Sequence, residues 1–282
     1  MTRLPDARPQ HHVTAPAGWL NDPNGPICVD GVYHVFHQFN PNGTSWGPPQ
    51  WGHVSSADLA RWTRHPTALA PSPGPDGGGC WSGSVVLDDR CPTALYTGAV
   101  SIEGGWRQTV CLSQGDVDLG AWRRHPASPV LSEPPNTSAL GFRDPFVWKE
   151  ADGWAMVIGS GTRDRGGSVL LYRSGDLLHW EYMGPILEAS DLDAALGPMG
   201  LIWECPQLVP IRDRHLLVYS LWDDLRPDPR GYSMLELHHA VAMVGDFDGR
   251  RFTPTSLQRL DHGPDHYAPA ILRGEDGRLL MW

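Results

Sequence analysis

The chain has 282 residues, a formal net charge of -10, and a composition rich in glycine (32), proline (27) and tryptophan (13). The negative balance disfavours a nucleic-acid or anionic-membrane partner, and no apolar run is long enough to span a bilayer. Long helical patterns are hard to find, so the chain is expected to be an all-β protein of many short strands. The cysteines are Cys28, Cys80, Cys91, Cys111 and Cys205, odd in number and without a C-x-x-C pair. Buried free thiols are therefore expected, rather than a zinc site or a disulfide framework. Met1–Asp6 shows no apolar leader, and a cytoplasmic location is the corresponding expectation.

In chain order, the first informative stretch is Trp19-Leu20-Asn21-Asp22-Pro23-Asn24-Gly25. Its Asn, Asp, Pro and Gly are turn residues, and the apolar pair before them anchors the turn in a packed interior. Beyond it, Asp58-Leu59-Ala60-Arg61-Trp62 opens a pattern that returns as Asp118-Leu119-Gly120-Ala121-Trp122 and Asp176-Leu177-Leu178-His179-Trp180. A weaker copy runs from Asp246 to Phe252. The aromatics at 62, 122, 180 and 252 stand 60, 58 and 72 residues apart. A period of this size in a β-rich chain predicts propeller blades, each a four-stranded sheet. The units are expected at about 18–70, 80–130, 141–190 and 202–258, with a partial fifth at about 264–282. The Asp-Leu-x-x-Trp elements fall between the third and outer strands, as structural staples.

The repeat also brings polar motifs into phase. Asp22, Ser82 in Trp81-Ser82-Gly83-Ser84, Asp144 in Phe142-Arg143-Asp144-Pro145, and Glu204 in Trp203-Glu204-Cys205-Pro206 each precede the expected first strand of their unit. Asp265 opens the partial fifth. First strands line the central channel of a propeller, so Asp22, Asp144 and Glu204 are expected at one end of it. Pro23 and Pro145 bias the two aspartates before them towards extended backbone.

Close carboxylates separate their titrations, giving one ionised group and one that holds a proton, as glycoside cleavage requires. Pairing of a buried acid with arginine is the structural alternative, and Arg143 makes it a serious one for Asp144. A metal site is the competing use of clustered acids. His11, His12, His37, His53, His262 and His266 offer ligands, but neither an EF-hand spacing nor an H-E-x-x-H pattern appears, so no metal and no cofactor are expected. There is no Gly-rich phosphate loop, and Ser82 is read as a hydroxyl that bonds substrate. Trp19, Trp46, Trp51, Trp81, Trp203 and Tyr267 flank the acids and suit a sugar pocket, with Trp203 the best candidate for core.

These motifs resemble the signatures of glycoside hydrolase family 32, which contains invertases, levanases, inulinases and other β-fructofuranosidases. Supporting matches are Phe36-His37-Gln38-Phe39-Asn40-Pro41, Trp51-Gly52-His53 and Asp265-His266-Tyr267-Ala268-Pro269. The resemblance implies a five-bladed β-propeller followed by a β-sandwich. Here the fifth blade is about half present and the sandwich is absent from the chain. It further implies that Asp22 attacks the anomeric carbon of a fructosyl unit and that Glu204 protonates the leaving oxygen and then activates water, with retention. Asp144 stabilises the transition state. Asn21, Gln38, Trp46, Trp51, Trp81, Ser82, Arg143 and Tyr267 match sugar-holding positions. The implied partner is a small carbohydrate, sucrose or a fructan. A fructosyltransferase using the same site, and a non-catalytic sugar-binding propeller, are the alternatives. The arabinan- and xylan-cleaving propellers use similar acids but lack the Asn21–Gly25 run.

Overall fold

A computed structural model describes residue 9 and residues 11–196, 199–223, 238–263, 265–274 and 276–282. Residues 1–8, on which the expected absence of a leader rests, lie outside the described residues. Four antiparallel sheets of four strands follow one another along the chain. The first holds β1 (Trp19–Val29), β2 (Val32–Asn40), β3 (Gln50–Ser56) and β4 (Thr63–Leu69). The second holds β5 (Gly79–Asp88), β6 (Cys91–Ile102), β7 (Gly105–Gly115) and β8 (Trp122–Arg124). The third holds β9 (Gly141–Glu150), β10 (Gly153–Thr162), β11 (Gly166–Ser174) and β12 (Glu181–Glu188). The fourth holds β13 (Ile202–Ile211), β14 (Arg214–Trp222), β15 (Ala240–Phe247) and β16 (Phe252–Arg259). A fifth, two-stranded sheet pairs β17 (Ile271–Arg273) with β18 (Leu279–Met281).

The expected all-β propeller is present, but the count of five is not: the described residues form four blades and a two-stranded remainder. First strands are neighbours in the order β1, β5, β9, β13, and β17 also touches β1, so they ring a common axis. Apolar side chains fill the seams between successive sheets. Phe36, Trp51, Val85 and Tyr96 pack between the first and second, and Leu112, Phe142, Met156 and Ile158 between the second and third. Val157, Leu171, Trp203 and Tyr219 pack between the third and fourth. The second and third sheets thus bury both faces, which is why their strands read as long apolar runs rather than a clean alternation. Among the described residues no helix is long and apolar enough to cross a membrane. All five cysteines are free thiols, and Cys80, Cys111 and Cys205 are buried.

The Asp-Leu-x-x-Trp elements are tight turns between third and fourth strands. Asp58 Oδ1 accepts the Ala60 and Arg61 amides at 2.9 and 2.7 Å, and Asp176 Oδ1 accepts those of Leu178 and His179 at 2.9 and 2.8 Å. The residue after each aspartate takes a left-handed backbone, Leu59 at φ 61° and Leu177 at φ 63°. In the fourth blade Asp248 plays this part and Gly249 the left-handed one. The second blade differs from the sequence pattern. Leu119 is left-handed, but the acceptor is Asp116 rather than Asp118.

The inner ends hold a second repeat, and it corrects two expectations. The polar motifs lie inside the first strands, not before them. In each blade two residues of the first strand oppose one of the second, a β-bulge. The pairs are Asn21-Asp22 opposite Gln38, Trp81-Ser82 opposite Thr97, Asp144-Pro145 opposite Ile158, and Cys205-Pro206 opposite Tyr219. The bulges are in phase and the acids are not: Asp22 is the second bulge residue, Asp144 the first, and Glu204 the residue just before. Asp144 is not extended either; its φ is +64°, and Cys205 and Ala268, also before prolines, are at +48° and +52°. The bulge overrides the steric bias that proline places on its predecessor.

Candidate active site

Asp22 is half-buried and sits in a net of donors. Ser82 Oγ donates to its Oδ2 at 2.6 Å, Gln38 Nε2 to the same oxygen at 3.3 Å, and Asn21 Nδ2 to Oδ1 at 3.1 Å. Gln38 is itself held, accepting from Asn21 at 3.1 Å and donating to Ser82 Oγ at 2.5 Å. Asn24, which the sequence offers only as a turn residue, is buried. It donates to the Asp22 carbonyl and accepts the Gly83 amide at 3.1 Å, stitching the first blade to the second. Gly25 is required there: its φ is +45°, and a Cβ would stand 2.6 Å from Val85 Cγ2.

Asp144 is buried. Its amide donates to Thr97 Oγ1 at 2.7 Å, and its Oδ2 accepts the Cys205 amide at 3.0 Å. Glu204 takes the Arg143 guanidinium on Oε1 at 2.7 Å and the Tyr267 hydroxyl on Oε2. The Tyr267 hydroxyl also lies 2.9 Å from the Leu221 carbonyl. Arg143 is positioned from behind by Gln108, whose Oε1 accepts Nη1 at 3.2 Å and the Phe142 amide at 2.8 Å. The side chain of Cys205 bridges the group, with Sγ 3.9 Å from Asp22 Oδ2.

The electrostatics follow from burial. Loss of water, then repulsion from Glu204, pushes Asp144 up to about 7, against the pull of Arg143. Burial also raises Asp22, and the Ser82 and Asn21 bonds oppose the rise. Burial pushes the Cys205 thiol and the Tyr267 phenol well up, so both stay protonated. Cys205 is therefore not a rival nucleophile, since only the thiolate attacks.

Of the aromatics expected at the sugar, Trp46 is 46 % exposed and packs edge-on against Trp81 at 6.0 Å. Trp106, which no sequence motif singles out, joins them at 5.9 and 5.3 Å. Trp19 is exposed and donates from Nε1 to Asn21 Oδ1 at 2.9 Å. Trp51 does not fit its expected role. It is fully buried between the first two blades, where its Nε1 holds the Trp81 carbonyl at 2.9 Å, and it has no face left for a sugar. Trp203 is core, stacked on Tyr219 at 4.2 Å. A cleft of about 760 Å³ lies on the outer edge of the third blade, between Glu150, Trp154, Arg173 and Trp180, and contains none of the acids above.

Comparison with known proteins agrees with the propeller fold. Residues 12–282 match the family model described as Glycosyl hydrolases family 32 N-terminal domain. The chain is 36% identical over 285 residues to a sucrose-6-phosphate hydrolase of Zymomonas mobilis, covering 97% of this chain and 54% of that protein. It is 39% identical to a sucrose-6-phosphate hydrolase of Klebsiella pneumoniae, covering 97% and 57% respectively. Among solved structures it resembles the Bombyx mori GH32 beta-fructofuranosidase BmSUC1, with TM-score 0.84, 36% identity, and coverage of 97% of this chain and 56% of that one. A mutant of that enzyme has been solved in complex with sucrose. The chain spans about half the length of the curated relatives it matches.

Proposed function

The chain belongs to glycosyl hydrolase family 32, and we propose that it carries the active site of a retaining fructoside hydrolase acting on sucrose or a related fructoside. The observation that supports this most is the gathering of Asp22, Asp144 and Glu204, from β1, β9 and β13: Asp22 and Asp144 both reach Cys205, the residue after Glu204, and both feel the charge of Glu204. The two-stranded sheet is then the inner half of a fifth blade.

Asp22 is the nucleophile. Three side-chain donors stabilise its anion, as an ionised acceptor requires. It attacks the anomeric carbon of the fructosyl unit while Glu204 protonates the departing oxygen. Glu204 then takes a proton from water, and the hydroxide displaces Asp22 with net retention. Asp144, held by the Cys205 amide, uses its remaining acceptor capacity on the furanose hydroxyls.

Incubation of the purified chain with sucrose, followed by NMR of the first fructose anomer released, tests the assignment. β-Fructofuranose should appear first, and Asp22→Asn should abolish its release. Full activity in Glu204→Gln would refute the acid assignment. Sucrose binding without turnover would point instead to a sugar-binding propeller, and oligomeric products at high sucrose to a transferase.

A further inference from the structure

Away from the acids, three imidazoles gather on one face of the first blade. His53 on β3 pairs with Phe36 on one side and with His65 of β4 on the other, and His34 lies two residues from Phe36. Residues two apart on a strand share a face, so the pleat assembles a cluster that no short motif announces. One nitrogen from each ring lies within 4.8 Å of the others. The ring centres are 5.2 Å apart for His34–His53, 4.3 Å for His53–His65 and 6.2 Å for His34–His65, with planes inclined by 29°, 24° and 31°.

His34–His53 and His53–His65 are stacked pairs, so the rings must turn within the cluster to aim one nitrogen each at a common ion about 2.0–2.1 Å away. His53 is 2% exposed and shares one bond with His34, Nδ1 to Nε2 at 2.9 Å, while its own Nδ1 is buried without a partner.

We propose that His34, His53 and His65 bind a first-row divalent transition ion such as zinc. The ion replaces the proton shared by His34 Nδ1 and His53 Nε2, which parts these nitrogens to about 3.4 Å and releases that proton to solvent. His65 is half-buried on the outermost strand and supplies the third nitrogen. Ser55 Oγ sits 2.7 Å from its Nε2, which leaves Nδ1 for the metal. A bound partner of this kind, on the nitrogen away from the metal, commonly orients a ligating imidazole. Water completes the tetrahedron. The ion would tie three strands of the first blade together, β4 at its edge included.

Isothermal titration of the untagged chain with zinc chloride tests this, beside His65→Phe, which keeps the ring stack and removes the nitrogens. One zinc per chain is expected, with a rise in Tm on binding. His65→Phe should keep its zinc-free Tm and bind more than about 100-fold more weakly, beyond the 10–100-fold that loss of a supporting group costs. His65→Cys, which restores a zinc ligand, should recover binding. Absence of saturable binding overturns the proposal. So does equal affinity in His65→Phe, which would place the ion elsewhere, for instance on the exposed His11 and His12.

Discussion

The inner and outer ends of each blade both repeat, but they repeat different things. At the outer turns the residues recur: an aspartate accepting amides, a left-handed Leu or Gly, then Trp or Phe. At the inner bulges the backbone recurs and the residues do not: Asn21-Asp22, Trp81-Ser82, Asp144-Pro145 and Cys205-Pro206 occupy one shape. Repeated side chains do repeated structural work, because the same amides need the same acceptor. A repeated backbone with changing side chains points to chemistry, because each blade contributes a different part to one site.

That contrast can be tested by substitution at either end. The largest effect belongs to the inner end. Asp22→Asn should cut fructoside hydrolysis by roughly 10⁴–10⁶-fold, as loss of a nucleophile does, with the circular dichroism spectrum unchanged. Glu204→Gln should cost about 10²–10⁴-fold in kcat, as loss of a general acid does, and less with a substrate whose leaving group needs no proton. If either change unfolds the chain while sparing the rate per folded molecule, the inner repeat is structural and the contrast fails.

Asp144 lies between the two cases, since it also links blades. Its folded titration is raised from the ordinary 3.8 to about 7. The folded state therefore holds a proton that the unfolded state has lost. Its contribution to stability is full below about pH 4 and is lost as pH rises towards about 7. Urea melts should show stability falling over that window, and Asp144→Asn should flatten the slope. A stability that rises through the same window in the parent chain would contradict the burial argument.

The outer end should give the smallest effects. Asp176→Ala removes two amide bonds at 2.9 and 2.8 Å. It should lower Tm by about 2–4 °C and leave kcat/KM alone. Asp116→Ala should lower Tm whereas Asp118→Ala should not, because Asp116 makes the bonds.

How much of this the sequence reveals depends on the range of the interactions. The outer turns are legible because aspartate, amide and tryptophan lie within a few residues. Even so, the second blade misleads, since a nearby aspartate takes over the same amides. The polar motifs are legible as residues but misplaced as geometry. Counting back from each Trp or Phe gives 40, 40, 36 and 48 residues to the motif, a scatter that loop length produces and that hides the shared bulge. Thr97, Gln108 and Asn24 are invisible as supports, for their partners sit 47, 35 and 59 residues away. Trp51 and Trp81 look alike in sequence; only the packing of the first two blades shows that Trp51 is core. The repeat predicts four units and a partial fifth and the resemblance a count of five, whereas the described residues form four blades with a two-stranded remainder.

The inner bulge has one more consequence. A kink of constant form, used in four places, lets a strand offer any of three successive residues to the axis while its hydrogen-bond ladder resumes on either side. Asp22, Asp144 and Glu204 use all three options. A scaffold built this way can exchange an acid, a hydroxyl or a thiol by a single codon change, and its reactivity can diverge while its architecture stays put.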